Sequence, residues 1–154
     1  MAEMRRKDRQ LPVAEARAIL EAGEYGVLAT ADEAGNPYAV PVNYALEGDT
    51  IYFHGALDGE KTKHLLHRPA VCFTVVGRTA VQPERFGTRY ESAVAFGTAR
   101  RVTDSGEKAY GLRLLIEKYS AAYQEEGEAY IRRSADATAV WAISVGRLTG
   151  KACR

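Results

Sequence analysis

Pro37-Tyr38-Ala39-Val40-Pro41-Val42-Asn43-Tyr44-Ala45-Leu46, turning at Gly48-Asp49 into Thr50-Ile51-Tyr52-Phe53-His54, is the stretch that decides the fold. Both arms are rich in β-branched and aromatic residues, and a Gly-Asp pair separates them, so they read as an antiparallel hairpin. Pro41 interrupts the first arm. A proline has no N–H for the ladder, which places this strand at an edge or opening of the sheet. The backbone groups of Val40, Val42 and Asn43 are then open to the rim of a planar heterocycle. A plain edge strand blunted by Pro41 explains the same residues.

Outward from this hairpin the period alternates between strand and helix. Upstream, Pro12 to Ala22 carries Val13, Ala16, Ile19 and Leu20 at helical spacing, and Tyr25 to Thr30 reads as a strand leading into the turn Asp32–Asn36. Downstream, a loop from Gly55 to Glu60 precedes a short helix from about Lys61 to His67, which Pro69 ends. Val71 to Val76 is apolar enough to predict a strand buried on both faces, with Cys72 as a small core residue. Gly77 to Thr88 reads as irregular, with a short strand at Thr79 to Gln82. Tyr90 to Val102 is a long strand with a bulge at Gly97. Asp104 and Glu107 are spaced as an N-cap and its partner for a helix towards Tyr119, Gln124 to Arg133 is a second amphipathic helix, and Ala137 to Val145 is the last strand. Tight turns between consecutive strands imply antiparallel pairing. The expectation is one domain over residues 1–154: a mainly β protein with flanking helices, its six or seven antiparallel strands curling into a barrel that removes their edges.

Bulk properties exclude several classes. The chain has 154 residues, one domain's worth, with 46% hydrophobic and 27% charged residues. Lys plus Arg number 21 against 20 Asp plus Glu, so the one-sided positive charge of a nucleic-acid binder is absent. Arg5, Arg6, Lys7 and Arg9 form a basic run broken by Asp8, which reads as a solvated arm or a local ion-pair partner. No apolar run reaches a membrane span's ~20 residues, and Met1 to Gln10 lacks the apolar core of a signal peptide, so a cytoplasmic protein without a membrane partner is expected. The two cysteines have no ligand spacing, and both read as free thiols.

The familiar phosphate loops, GxxxxGK[ST] and GxGxxG, do not occur, nor does a GxSxG elbow. His64 and His67 share a helix face without an acidic third ligand, which favours a surface helix over a metal site. The chemistry concentrates after the hairpin instead. His54 ends a strand, and Lys61 and Lys63 open the next helix beyond a loop. Backbone N–H groups, the helix dipole and an ammonium all favour an anion there. The alternative makes His54 an ordinary strand histidine and the lysines solvated surface.

At these residues the chain resembles a known family. Met4-Arg5-Arg6-Lys7-Asp8-Arg9, Gly23-Glu24-Tyr25-Gly26-Val27-Leu28, Gly35-Asn36-Pro37-Tyr38, Val40 to Tyr44, Ile51 to His54, Lys61, Phe73 to Gly77, Tyr90-Glu91-Ser92, Phe96-Gly97 and Leu148-Thr149-Gly150-Lys151-Ala152 follow in order. This set is similar to the nitroimidazole-resistance (Nim) group of the pyridoxamine 5′-phosphate oxidase-like, FMN-binding split-barrel superfamily. The resemblance implies a split barrel and a homodimer with FMN at the subunit interface. It implies that Val40, Pro41, Val42, Asn43 and Tyr44 lie along the flavin ring, and that His54 and Lys61 lie near its phosphate or substrate side. Tyr90, Glu91 and Ser92 come near the flavin or the dimer seam, or simply begin a core strand. The implied activity is reduction of a small nitroaromatic or related acceptor; His54, whose intrinsic pKa lies nearest neutrality among the candidates, is either the proton donor or a phosphate contact. A flavin-storage protein without turnover and a deazaflavin F420 binder are the alternatives. The Arg-Pro-x-x-Arg ending of true pyridoxamine phosphate oxidases is replaced by Arg147-Leu148-Thr149-Gly150-Lys151-Ala152-Cys153-Arg154, which argues against vitamin B6 oxidation.

Overall fold

A computed structural model describes residues 3–154. The elements run β1 (Gln10–Leu11), α1 (Val13–Ala22), β2 (Gly26–Ala31), β3 (Pro37–Val42), β4 (Ala45–Glu47), β5 (Thr50–Ala56), α2 (Glu60–His67), β6 (Ala70–Gln82), β7 (Gly87–Arg101), α3 (Ser105–Tyr119), α4 (Gln124–Ser134) and β8 (Thr138–Cys153). Every strand pairing is antiparallel. The sheet order is β3-β2-β6-β7-β8-β5-β4, with β1 added against β8, giving eight strands where six or seven were expected.

The predicted strand Pro37 to Leu46 breaks in two, and that break defines the architecture. β3 and β4 lie at opposite ends of the sheet path, yet only Asn43 and Tyr44 separate them in the chain. The sheet must therefore roll until its ends are neighbours. They are joined there by a covalent hop rather than by a ladder of hydrogen bonds: a split barrel. Tyr44 holds the hop in place. Its ring is fully buried, meets Phe73 edge-on at 4.8 Å, and its hydroxyl donates to the Leu20 carbonyl. The Tyr44 N–H donates to the Tyr119 hydroxyl at 3.1 Å, which pins the end of α3 at the split.

The barrel interior is filled by Leu28, Phe53, Phe73, Val75, Trp141 and Ile143, closed at one end by Ile19 and Leu20 of α1. A second core, with Tyr52, Val140 and Ala142 under Leu112, Leu115 and Ile131, attaches α3 and α4 to the outside of β5 and β8. The doubly buried strands are consequently β5 and β8. β6 was expected to be one; instead Val71, Phe73 and Val75 are buried while Cys72 and Thr74 are only half-buried, because nothing equivalent to α3 covers that face. Cys72 is thus on the outward face rather than in the core.

Two further expectations change. Gly77 to Thr88 is not irregular: β6 and β7 continue as a paired hairpin through Gln82 and Gly87, with a register shift between Val76 and Thr79. The last strand runs eight residues beyond Val145, because a bulge leaves Gly146 unpaired and the ladder to β7 resumes at Arg147. The bulge expected at Gly97 sits on the same shift, and a Cβ there would collide with the Ser144 carbonyl oxygen. The α3 cap is as expected: the Asp104 carboxylate accepts from the Glu107 N–H at 2.8 Å. Among the described residues no helix is long and apolar enough to cross a membrane.

Candidate functional site

The last three residues of β5 are His54, Gly55 and Ala56, and α2 begins four residues after Ala56. The first turn of α2 carries Lys61, whose ammonium folds back over Gly55. A Cβ on Gly55 would lie 2.9 Å from Lys61 Nζ, so the glycine leaves the room the ammonium occupies. Lys61 has no ion-pair partner among the described residues. His54 projects outward, and partial desolvation, then the neighbouring Lys61 charge, hold its pKa below the ordinary histidine value. The Lys61 ammonium beside His54 offers a positive charge that can hold an anion.

What aims Lys61 is the docking of α2 on β2. Thr62, His64 and Leu65 are its buried face. His64, expected on the surface, is almost fully buried; its Nδ1 shares a 2.9 Å hydrogen bond with the Thr30 hydroxyl, and its ring meets Tyr38 edge-on at 5.4 Å. Glu60 lies 3.5 Å from His64 Nε2 and 3.6 Å from Lys63, so the first-turn carboxylate and Lys63 are engaged with each other and Lys61 is the free cation. A periodicity reading finds His64 on the helix but not its Thr30 partner, which is distant in sequence.

β3 is an edge strand as Pro41 predicts; its one partner among the described residues is β2. Val40 and Val42 are half-buried, whereas Pro41 and Asn43 face solvent. Tyr44 differs from its expected role, since its side chain belongs to the core and its N–H to Tyr119. Asn43, at the split, shares with His54 one wall of a cavity of about 480 Å³ beneath α3 and α4. Leu112, Leu115, Ile116 and Ile131 form its apolar lining, and Tyr119, Tyr123, Glu126, Tyr130 and Arg133 its polar one. Periodicity marks α4 only as amphipathic, because the wall opposite these residues comes from His54 and Asn43, distant in sequence.

Tyr90, Glu91 and Ser92 lie elsewhere in the chain. Ser92 pairs with Lys151 and His54 with Val140, so roughly 35 Å of β8 separates the two groups along the strand. Tyr90 is near Arg9 and Lys151, which lower its pKa through hydrogen bonding and charge. Glu91 accepts from the Arg78 N–H at 3.3 Å and comes within 4.0 Å of Arg154. A single chain does not bring them to His54.

The sequence matches one family profile, described as pyridoxamine 5′-phosphate oxidase, over residues 12–152. The chain belongs to this family. Among solved structures, this pyridoxamine 5′-phosphate oxidase family member is similar to a candidate 5-nitroimidazole antibiotic resistance protein from Bacteroides thetaiotaomicron, at 25% identity and TM-score 0.76, covering 93% of this chain and 86% of that one. It shares its fold with the flavocytochrome Anf3 from Azotobacter vinelandii, at 24% identity and TM-score 0.84, covering 99% and 72%. A FAD and heme binding protein from Mycobacterium smegmatis also shares the fold, at 22% identity and TM-score 0.81, covering 95% and 74%. No curated protein sequence matches the chain. The C-terminal residues, where the family's namesake pattern is missing, form the second half of β8.

Proposed function

We propose that this protein is a flavoprotein that holds FMN along the open edge of β3, with the flavin phosphate at Lys61, and reduces a small acceptor such as a nitroaromatic. The observation that carries the reading is the unpaired Lys61 ammonium seated over Gly55 beside His54, next to an edge strand that leaves backbone groups unpaired. The residues suit the group: a cation for the phosphate, the outward backbone of Ala39 and Pro41 with Asn43 beyond the strand end for polar atoms at the ring's rim (Val40 and Val42 pair with Leu28 and Gly26 of β2), and a cradle that any larger residue at Gly55 would fill. When bound, the flavin supplies the hydride or electron chemistry, and the chain binds, orients and protonates. His54 is the proton donor. With its pKa held low, the protonated fraction, and with it a His54-dependent step, grows as pH falls below about 6.5.

The reading includes a homodimer. Tyr90, Glu91 and Ser92 reach a flavin at His54 only from a second copy, since the strand register keeps them apart within one. Half-buried Ala29, Cys72 and Phe96 form one cross-strand row on the face opposite Leu28 and Phe73, an apolar surface suited to a second copy. Light scattering after gel filtration measures the assembly.

The deciding experiment is an absorption spectrum of the purified protein with mass analysis of the released ligand. A yellow protein releasing FMN is expected. A colourless protein that takes up no added FMN overturns the reading. Turnover is measured as NAD(P)H oxidation with excess nitroaromatic; bound FMN that is never reduced leaves a storage protein.

A further inference from the structure

The cavity beneath α3 and α4 is built for something other than packing. Glu126, Tyr130 and Arg133 recur on α4 at intervals of four and three residues, and Tyr123 caps the helix at the same spacing, so all four line the cavity. A helix face laid over a core is ordinarily aliphatic; here only Ile131 is buried. Neither Glu126 nor Arg133 has an ion-pair partner among the described residues, and the Arg133 guanidinium stands 5.7 Å over the Tyr130 ring. Tyr123 and Tyr130 are 62% and 52% exposed, so their rings are open to a ligand. Gly127 brings α4 hard against α3: a Cβ there would lie 2.7 Å from Ile116 Cγ2.

From these residues we propose that the cavity binds a nucleoside 5′-phosphate, an adenylate moiety, beside the flavin. Phenol rings stack a flat heterocycle, a carboxylate accepts from ribose hydroxyls, and a guanidinium takes a phosphate on two N–H groups. The cavity's 480 Å³ lies within the ~300–1,000 Å³ of small-molecule sites. His54 lines this cavity and neighbours Lys61, so the cavity adjoins the proposed flavin phosphate site. Two ligands carry this chemistry: a reduced nicotinamide dinucleotide acting as electron donor, and the adenylate half of FAD in place of FMN. The proposal rests on the flavin site described above.

Calorimetric titration of the FMN-loaded protein with AMP tests it. AMP binding is expected, weakened about tenfold or more by Arg133→Gln and by Tyr130→Ala, with FMN affinity unchanged in both. Both side chains are exposed, and an unaltered thermal midpoint verifies that the variants fold. Competitive inhibition of NADPH oxidation by AMP assigns the cavity to the donor. FAD binding the apoprotein more tightly than FMN, with Arg133→Gln abolishing the difference, assigns it to the cofactor. No AMP binding, or AMP binding indifferent to both substitutions, overturns the proposal while FMN remains bound. An apoprotein that takes up no FMN fails the flavin reading instead.

Discussion

Replacing Lys61 by alanine separates a binding role from a structural one. The ammonium has no ion-pair partner among the described residues and sits on the first turn of a helix held by other residues. Stability should therefore change by no more than about 0.5 kcal/mol. A charge-assisted hydrogen bond to phosphate contributes about 1.5–3 kcal/mol, so FMN affinity should fall about ten- to a hundredfold. The assay follows the emission of the single tryptophan, Trp141, which pairs with Phe53 beside His54 and should be quenched by a bound flavin. Gly55→Ala is the companion variant. Its Cβ meets only the flexible end of Lys61, so the fold should survive while the ammonium is displaced, and its loss of affinity should lie between wild type and Lys61→Ala. Lys61→Ala should also raise the His54 pKa, read by NMR among three histidines, because one of the two influences lowering it is gone. Wild-type FMN affinity in a folded Lys61→Ala protein would refute the phosphate assignment.

Thr30→Val removes the hydroxyl bonded to His64 Nδ1 and leaves a buried imidazole nitrogen unsatisfied, at a cost of about 1–3 kcal/mol in chemical denaturation; an unchanged midpoint would show that His64 finds another partner. Asp104→Ala deletes the α3 cap and should lower stability by about 1 kcal/mol, measured by thermal unfolding. Because the folded-state pKa of His54 is depressed, the unfolded chain binds more protons there between the two values. The apoprotein should gain stability as pH rises through that window below about 6.5 and lose it as pH falls, with His54→Gln flattening this component. FMN binding should oppose the trend, since an anion at Lys61 favours protonated His54.

Legibility in the sequence followed the range of each cause. The α3 cap, the edge character announced by Pro41 and the bulge at Gly97 are decided by residues within a few positions of one another, and each appears in the structure. The continuation of β8 past Gly146 was hidden because a bulge absorbs what looks locally like a stop. The half-buried outward face of β6 is not legible because an apolar run does not reveal whether a second layer covers it.

The sequence by itself determined that the chain is an antiparallel β protein with an interrupted edge strand, a histidine closing one strand and a lysine at a helix start. Those are consequences of local stereochemistry and side-chain period. Only the tertiary structure decided that β3 and β4, two residues apart in the chain, are the opposite ends of one rolled sheet. It alone set Lys61 over Gly55, buried His64 against Thr30, and turned the polar face of α4 onto a cavity walled by β5. Each of these joins residues far apart along the chain, and their meeting depends on how the whole sheet curls.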